Sequence, residues 1–497
     1  MYPQAVKMSR NEKLILDYPR SNWYCDSFIK GRSPVPERIF PLSNKASSFK
    51  PILLVIVVLL ISIPAVWLMI IRMEGTTPAI EIELDSPFIG ASQSIGVSVE
   101  DEGSGVRRIW MGLLVNGREI EILQRTFPSA GFFAGGKEKS VQVKATVSPK
   151  ALGLADGKAI IRAIVWDYSL RKWGKGNQAY LEKEIQIDTQ PPAIEMLSRS
   201  HNVAQGGSGV AVYRLSEACP VSGVTVGDTF FPGYAGLSDD PAVHVAFFAL
   251  NYQQGADTKI TATAKDYAGN AGVAGMVYHI NARSFRKDTI NLSDRFLNAK
   301  MPDFEGRFPE SSRENPLELF LKVNRDLRRQ DNEAFYAIAA TTEKKILWKG
   351  PFLRLPGSAN RARFADHRTY FYDGKVVDRQ VHMGIDLASI KHAPVPAANR
   401  GKVVFTGDQG IYGNTVVLDH GYGLFTLYSH LSQIQAVVGN IVERGEIIGK
   451  TGMTGLAGGD HLHYGTLIHQ TYVNPIEWWD NHWIKNNVSD KIDEAIP

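Results

Sequence analysis

Three hydrophobic patterns follow one another along the chain. From Pro51 to Ile71 no charged side chain interrupts 21 residues. As a helix such a run is about 31 Å long, close to the roughly 30 Å of a bilayer's hydrocarbon core. It is apolar on every face rather than along one stripe, which predicts a membrane span and not a core helix. Pro64 is tolerated in such a span. The run is too long for a cleaved signal and no small-residue cleavage site follows it, so a retained anchor over 51–71 is expected. Beyond it the period shortens to two, in AIEIEL (79–84), SIGVSVE (94–100), SVQVKATV (140–147) and AIIRAIVWD (159–167). These alternations predict strands. Pro78-Ala79-Ile80-Glu81 recurs as Pro192-Ala193-Ile194-Glu195, and each copy later runs into an Asp-Tyr turn, at Asp167 and Asp266. Two tandem β-sandwich modules, 76–190 and 191–283, are expected. Over 284–349 apolar residues fall at helical spacing, with Glu318 four before Lys322, predicting a helical connector that joins its neighbours. Strands return in GKVVFTG (401–407), NTVVLDHG (414–421), LFTLYSHL (424–431) and HLHYGTLI (461–468). A β-rich domain over 350–480 and a C-terminal tail over 481–497 complete a mainly β architecture.

Charge orients this plan. Of 497 residues, 55 are Lys or Arg and 51 Asp or Glu, a balance of +4, too small for a nucleic-acid partner to be expected. Residues 1–50 hold nine basic and four acidic side chains. Lys45 and Lys50 precede the span while Glu74, Glu81, Glu83 and Asp85 follow it, so the tail at 1–50 is expected in the cytoplasm and the C-terminal bulk outside. Cys25 and Cys219 then lie on opposite sides of the bilayer and cannot pair. Asp-Tyr-Ala-Gly-Asn (266–270) resembles the last turn of bacterial extracellular modules of the immunoglobulin-like class. The modules carry no catalytic constellation and read as spacers or as surfaces for envelope protein partners.

Chemistry concentrates at the C-terminal end, where nine of the 12 histidines lie beyond residue 350. His382 and Asp386 are four apart. His461 and His463, two apart on a strand, share one face. His430 ends another strand. Singly each spacing is weak, but together they supply four imidazoles and a carboxylate to one small β domain. A catalytic zinc takes three N or O ligands and leaves a position for water. The remaining imidazoles would move protons or stabilise an oxyanion. No H-E-x-x-H helix is present, no G-x-S-x-G elbow occurs in this region, and no paired cysteines offer a structural zinc site. His367, His392, His420, His469 and His482 are expected to be structural or solvated, His420 tying down a turn, and Tyr370 and Tyr372 to be packed aromatics.

The runs HMGIDLA (382 onward), APVPAANRGKVVFTGDQGIYGNTVVLDHG, TLYSHL and VERGEIIGKTGMTGLAGGDHLHYGTLI together resemble the LytM/lysostaphin-type zinc peptidases, the peptidase M23 family, over roughly the last 130 residues. That resemblance implies that His382, Asp386 and His463 hold one Zn2+ per domain and that His430 and His461 are the catalytic pair. It implies a zinc-dependent endopeptidase acting on the stem peptides of peptidoglycan, anchored in the bacterial inner membrane with its C-terminal domains in the periplasm. Some members have lost ligands and only activate other hydrolases, so a non-catalytic activator of a cell-wall amidase is the alternative. The chain departs from the family at Leu456-Ala457-Gly458-Gly459-Asp460 and at Tyr464-Gly465, positions expected to border the substrate groove and to affect subsite preference.

Overall fold

With no polar stripe to turn toward a protein core, residues Phe49–Arg72 form one 24-residue helix that carries Pro64 inside it. Its segment Lys50–Ile70 is long and apolar enough to cross a membrane by length and composition. The computed structural model describes residues 49–309 and 315–496. The expected cytoplasmic tail, with Cys25, lies outside the described residues save for its last two positions.

In the first β region the period-two pattern becomes two facing sheets. One has the order Ala79–Glu83, Gln93–Glu100, Ser140–Val147; the other runs Phe88–Ile89, Gln178–Ile187, Gly157–Asp167, Val106–Val115, Arg118–Thr126. Alternate residues of each sheet, such as Val97 and Val99 from one and Ile161 and Val165 from the other, are fully buried in a common core. In the second β region Ile194–Met196, Ser208–Leu215, Val243–Ala249 and Tyr234–Ala235 form one sheet, and Thr229–Pro232, Val221–Val226, Ile260–Lys265 and Ala271–Gly275 another.

The two Asp-Tyr turns are built alike. Asn177 donates its backbone N–H to Asp167 Oδ1 (2.7 Å) and its side-chain amide to Asp167 Oδ2 (2.8 Å) and to the carbonyl of Glu74 (3.2 Å). Asn270 donates its backbone N–H to Asp266 Oδ1 (2.8 Å) and its amide to Asp266 Oδ2 (2.9 Å) and to the carbonyl of Asp188 (2.8 Å). Glu74 stands four residues before Pro78, as Asp188 does before Pro192. In both copies, therefore, one asparagine satisfies a buried aspartate and clamps the incoming chain.

The segment expected to be wholly helical begins with a strand. Lys287–Asn291 pairs in parallel with His367–Tyr372, which pairs in turn with Lys375–Val381. KDTIN has too few apolar residues to announce a strand, and only an open edge elsewhere in the chain makes it one. Helices follow at Asp294–Lys300, at Pro316–Lys322 and, continuous with the latter through a π turn at Val323–Leu327, at Arg328–Ile338. Glu318 and Lys322 meet at 3.7 Å. The π turn brings the buried Asn324 amide to Asp378 Oδ2 (2.7 Å) and the Arg325 guanidinium to Asp378 Oδ1 (2.9 Å). Farther along, Asp331 accepts from the backbone N–H of Ile411 at 2.8 Å.

The last β region is an eight-stranded sheet with the order Ala359–Ala362, Ile385–Ala388, Leu462–Ile468, Leu424–Ser429, Asn414–Asp419, Gly401–Asp408, Ile441–Val442, with Thr471–Val473 also paired to Leu462–Ile468. The chain beyond it is helical from Asn481 to Ala495 and buries Ile484 and Val488. One apolar core runs through this sheet, the helices and the second β region. At the seam the Phe247 ring lies 6.0 Å from Trp478 and 6.5 Å from Trp348, and Tyr234 stacks on Tyr422 at 4.8 Å.

Candidate metal centre

Strand register turns residues that are distant in sequence into neighbours. Leu462–Ile468 lies between Ile385–Ala388 and Leu424–Ser429, so His463 stands opposite Asp386 on one side and Ser429 on the other. His461 sits one residue before this strand, bridged to Gly452. His430 follows Ser429 at φ 63°, a left-handed conformation that costs a non-glycine residue about 1–2 kcal/mol. Its N–H is bonded to the Tyr412 carbonyl (2.8 Å) and its ring Nδ1 to the Thr454 carbonyl (2.8 Å), which fixes the ring.

Three side-chain atoms converge. His382 Nε2 is 2.9 Å from His463 Nδ1, His463 Nδ1 is 2.9 Å from Asp386 Oδ1, and His382 Nε2 is 3.0 Å from the same oxygen. All three residues are nearly excluded from water. Because His382 Nδ1 donates to the Arg363 carbonyl (3.0 Å), its Nε2 is the lone-pair nitrogen. With Nδ1 of His463 also turned into the cluster, His463 Nε2 is left buried without a hydrogen-bond partner. Tetrahedral zinc with bonds of about 2.0–2.1 Å sets neighbouring ligand atoms about 3.3 Å apart. A triangle of two imidazole nitrogens and a carboxylate oxygen near that size fits such an ion. Gly384 closes one side: a Cβ there would come within 2.6 Å of His463 Cε1 and Nε2 and 2.7 Å of the Tyr464 carbonyl.

His430 and His461 stand beside this triangle. Their rings are 4.8 Å apart, and His430 is 5.8 Å from His463. His461 Nδ1 is bonded to the Gly459 carbonyl at 2.8 Å, and its Nε2 is 3.6 Å from Asp386 Oδ1. In both rings Nδ1–H is thus spent on backbone and Nε2 is available. The electrostatics differ. Burial, reinforced by the charges of His461 and His463, pushes the His430 imidazole well below its usual pKa. Burial works against protonating His461 too, but the Asp386 carboxylate beside it raises it. Burial pushes His463 down to about 4. Burial works against ionising Asp386, but the imidazoles of His382, His461 and His463 gathered around it hold it well below the carboxylate range.

These groups face a cavity of about 440 Å³ whose other wall is built from Asn291, Phe296, Phe320 and Arg328, contributed by the strand and helices that precede the domain. The sequence pattern did not single out several groups here. Arg368 donates to Asp386 Oδ2 at 3.1 Å, the Tyr412 ring lies 5.3 Å from His463, and Gly384 gives that ring room. The glycine between His382 and Asp386 was the only one of these signals visible in the motif. Tyr370 is buried and lines the cavity, while Tyr372 donates to Asp294 at 2.8 Å.

The remaining histidines stay apart from the triangle. His420 is wholly buried, bonded to the Arg400 carbonyl (2.8 Å) and Thr426 Oγ1 (2.7 Å), with burial pushing it down to about 4. His392 contacts Ser432, His469 packs near Tyr234 and Phe231, and His482 is exposed. His367 faces a neighbouring concavity.

Residues 380–475 match Peptidase family M23. The chain carries a peptidase M23 domain at its C-terminus. Over 97 residues, 20% of this chain, it is 44% identical to the DD-carboxypeptidase/endopeptidase Mpg of Neisseria meningitidis serogroup B, covering 22% of that protein. Over 96 residues, 19% of this chain, it is 40% identical to the peptidoglycan DD-endopeptidase ShyA of Vibrio cholerae serotype O1, again covering 22%. The chain therefore spans 22% of the length of both curated relatives. Among solved structures, the catalytic domain of the antimicrobial peptidase lysostaphin from Staphylococcus simulans is 26% identical, covering 26% of this chain and 98% of its own, with a TM-score of 0.23. His382, Asp386, His430, His461 and His463 all lie inside the M23 match, whereas Arg368 and the cavity wall from 291 to 328 lie outside it.

Proposed function

We propose that this chain is a zinc-dependent endopeptidase that hydrolyses peptide cross-links of peptidoglycan, anchored in the inner membrane by the helix at 51–71 with its N-terminal tail in the cytoplasm. The divisions at 76–190, 191–283, 284–349 and 350–480 belong to the same reading. The observation that carries it is the triangle His382–Asp386–His463 beside two imidazoles with free Nε2 atoms. His382 Nε2, Asp386 Oδ1 and His463 Nδ1 would hold the ion. Bound there, zinc supplies Lewis-acid polarisation of a peptide carbonyl and acidifies a water molecule. Arg368 fixes the second oxygen of Asp386, and Gly384 leaves room for the His463 ring. Of His430 and His461, one accepts the proton of the attacking water at Nε2; the other donates to the oxyanion or to the leaving amine. The buried walls limit access of bulk water to these groups. Support for the substrate comes from the names of the relatives, both of which are peptidoglycan or DD-peptide hydrolases.

The test is digestion of cross-linked murein by the full chain in detergent. Release of cross-link peptides that stops with a chelator, returns with zinc and is absent from His463→Ala is the expected result. Failure of the metal-loaded chain to release any peptide, with binding to a cell-wall amidase instead, would move the assignment to the activator.

A further inference from the structure

Beside the cavity that holds the histidines lies a second concavity of about 690 Å³. It is formed where the strand His367–Tyr372, the helix Arg328–Ile338 and the second β region meet. Arg328, Arg368 and Met383 line both spaces, so one opens beside the other.

The charge in this second space is one-sided. Arg328, Arg368 and Arg379 line it and no Asp or Glu does; the rest of its polar lining is the His367 imidazole together with amide, hydroxyl and phenol groups, such as Asn251, Gln470 and Tyr336. The arginines are also poorly compensated. The Arg379 side chain is exposed and has no ion pair or hydrogen bond among the described residues. Among the described residues Arg328 bonds only to a neutral partner, donating to the carbonyl (3.1 Å) and Oδ1 (2.6 Å) of Asn324. Arg368 pairs with Asp386, but its Nε is buried without a partner. In the adjoining cavity Arg361 has no ion pair among the described residues, and the carboxylate of Asp288 is taken by Arg286 at 3.1 Å.

Guanidinium groups held together in a concavity without carboxylates repel one another and raise the local potential. Their planar forks match carboxylates. The amide and phenol lining suits peptide groups. We propose that this concavity is a substrate subsite for a carboxylate-bearing peptide, with Arg379 and Arg328 gripping a free carboxylate of the chain whose scissile bond lies at the histidines. The proposal rests on the endopeptidase reading for the direction of the substrate, but the charge recognition stands by itself.

Equilibrium binding separates the two. The probe is a fluorescein-labelled pentapeptide ending in D-alanyl-D-alanine with all its carboxylates free, compared with the same peptide fully amidated. Anisotropy is read on the full chain with a chelator present, so that no turnover occurs. The acid form is expected to bind at least ~10-fold more tightly, in keeping with charge-assisted pairing. Arg379→Glu should abolish that preference while leaving the amidated peptide's affinity unchanged, and Arg379→Lys should restore part of it. Arg379 is exposed, so neither variant disturbs packing, and far-ultraviolet circular dichroism checks the fold. Equal affinity for the two peptides, a preference that survives Arg379→Glu, or displacement by inorganic phosphate at the same concentration as unlabelled peptide would each overturn the subsite. A chain that prefers the acid peptide but digests no murein would sink the endopeptidase reading alone.

Discussion

His382 Nε2 and His463 Nδ1 stand 2.9 Å apart, with Asp386 Oδ1 at a similar distance from both. His382 has already placed its proton on the Arg363 carbonyl. The triangle therefore contains three lone-pair atoms and room for a single proton, an arrangement that a divalent cation relieves. The full chain should bind one zinc per molecule. At a free concentration of 100 times Kd, the ion should stabilise the fold by about 2.7 kcal/mol, seen as a rise in Tm. His463→Ala should show neither the ion by elemental analysis nor the rise.

The free Nε2 atoms of His430 and His461 make a different claim, because neither ring belongs to the triangle. His461→Ala should lower kcat by roughly 10²–10⁴-fold, the ordinary worth of a proton-transferring group, with zinc content unchanged. Loss of the metal together with activity would instead place His461 among the ligands.

Gly384 tests the space around His463. A methyl group at that position would sit 2.6 Å from two ring atoms, so Gly384→Ala must push the imidazole away from Asp386. Displacing a ligand in this way is expected to weaken zinc binding by roughly 10–100-fold. Competition with a chromophoric chelator measures it, and unchanged affinity would show that the ring has freedom to shift.

Glu477 gives the fold a dependence on pH. Its Oε2 accepts from the backbone N–H (2.9 Å) and hydroxyl (3.1 Å) of Ser208, across the seam between the second β region and the M23 domain. Burial there raises its carboxyl from 4.5 to about 7. The folded chain then binds more protons than the unfolded one between those values, so stability is fully present below about 4.5 and declines as pH rises through about 7. The decline should be on the order of 1–3 kcal/mol. Glu477→Gln should flatten it in urea titrations at pH 5 and 8; an identical slope in the variant would remove Glu477 as its source.

Phe247 belongs to the second β region, yet its fully buried ring packs against Trp348 and Trp478. Phe247→Ala should cost about 3–5 kcal/mol and lower the unfolding temperature of the M23 domain along with its own. Two calorimetric transitions, only one of them shifted, would show that the halves unfold independently.

How much of this was readable beforehand depended on the range of the forces involved. The apolar helix and the alternating strands are local patterns, and their observed bounds lie within a few residues of the predicted ones. His461 and His463 converge because strand geometry sets i and i+2 on one face. The pairing of Asp386 with His463, however, depends on register between strands about 80 residues apart, which no periodicity encodes. Lys287–Asn291 looked like part of a helical connector and became a strand because His367–Tyr372 offered it an edge. Arg368 carried no signal: it reaches Asp386 from a different sheet. The strand and helices preceding the domain were expected to join their neighbours, and they also supply a wall of the cavity.

The segment shared with relatives opens at residue 380, inside the strand Lys375–Val381, and leaves Phe247, Trp348 and Trp478 on both sides of the cut. What can be inherited or grafted intact is consequently larger than what alignment recovers. A fragment limited to the aligned stretch would lack all three of these rings, together with the whole of the second β region that shares their core, and would leave its own sheet bare on the side they cover.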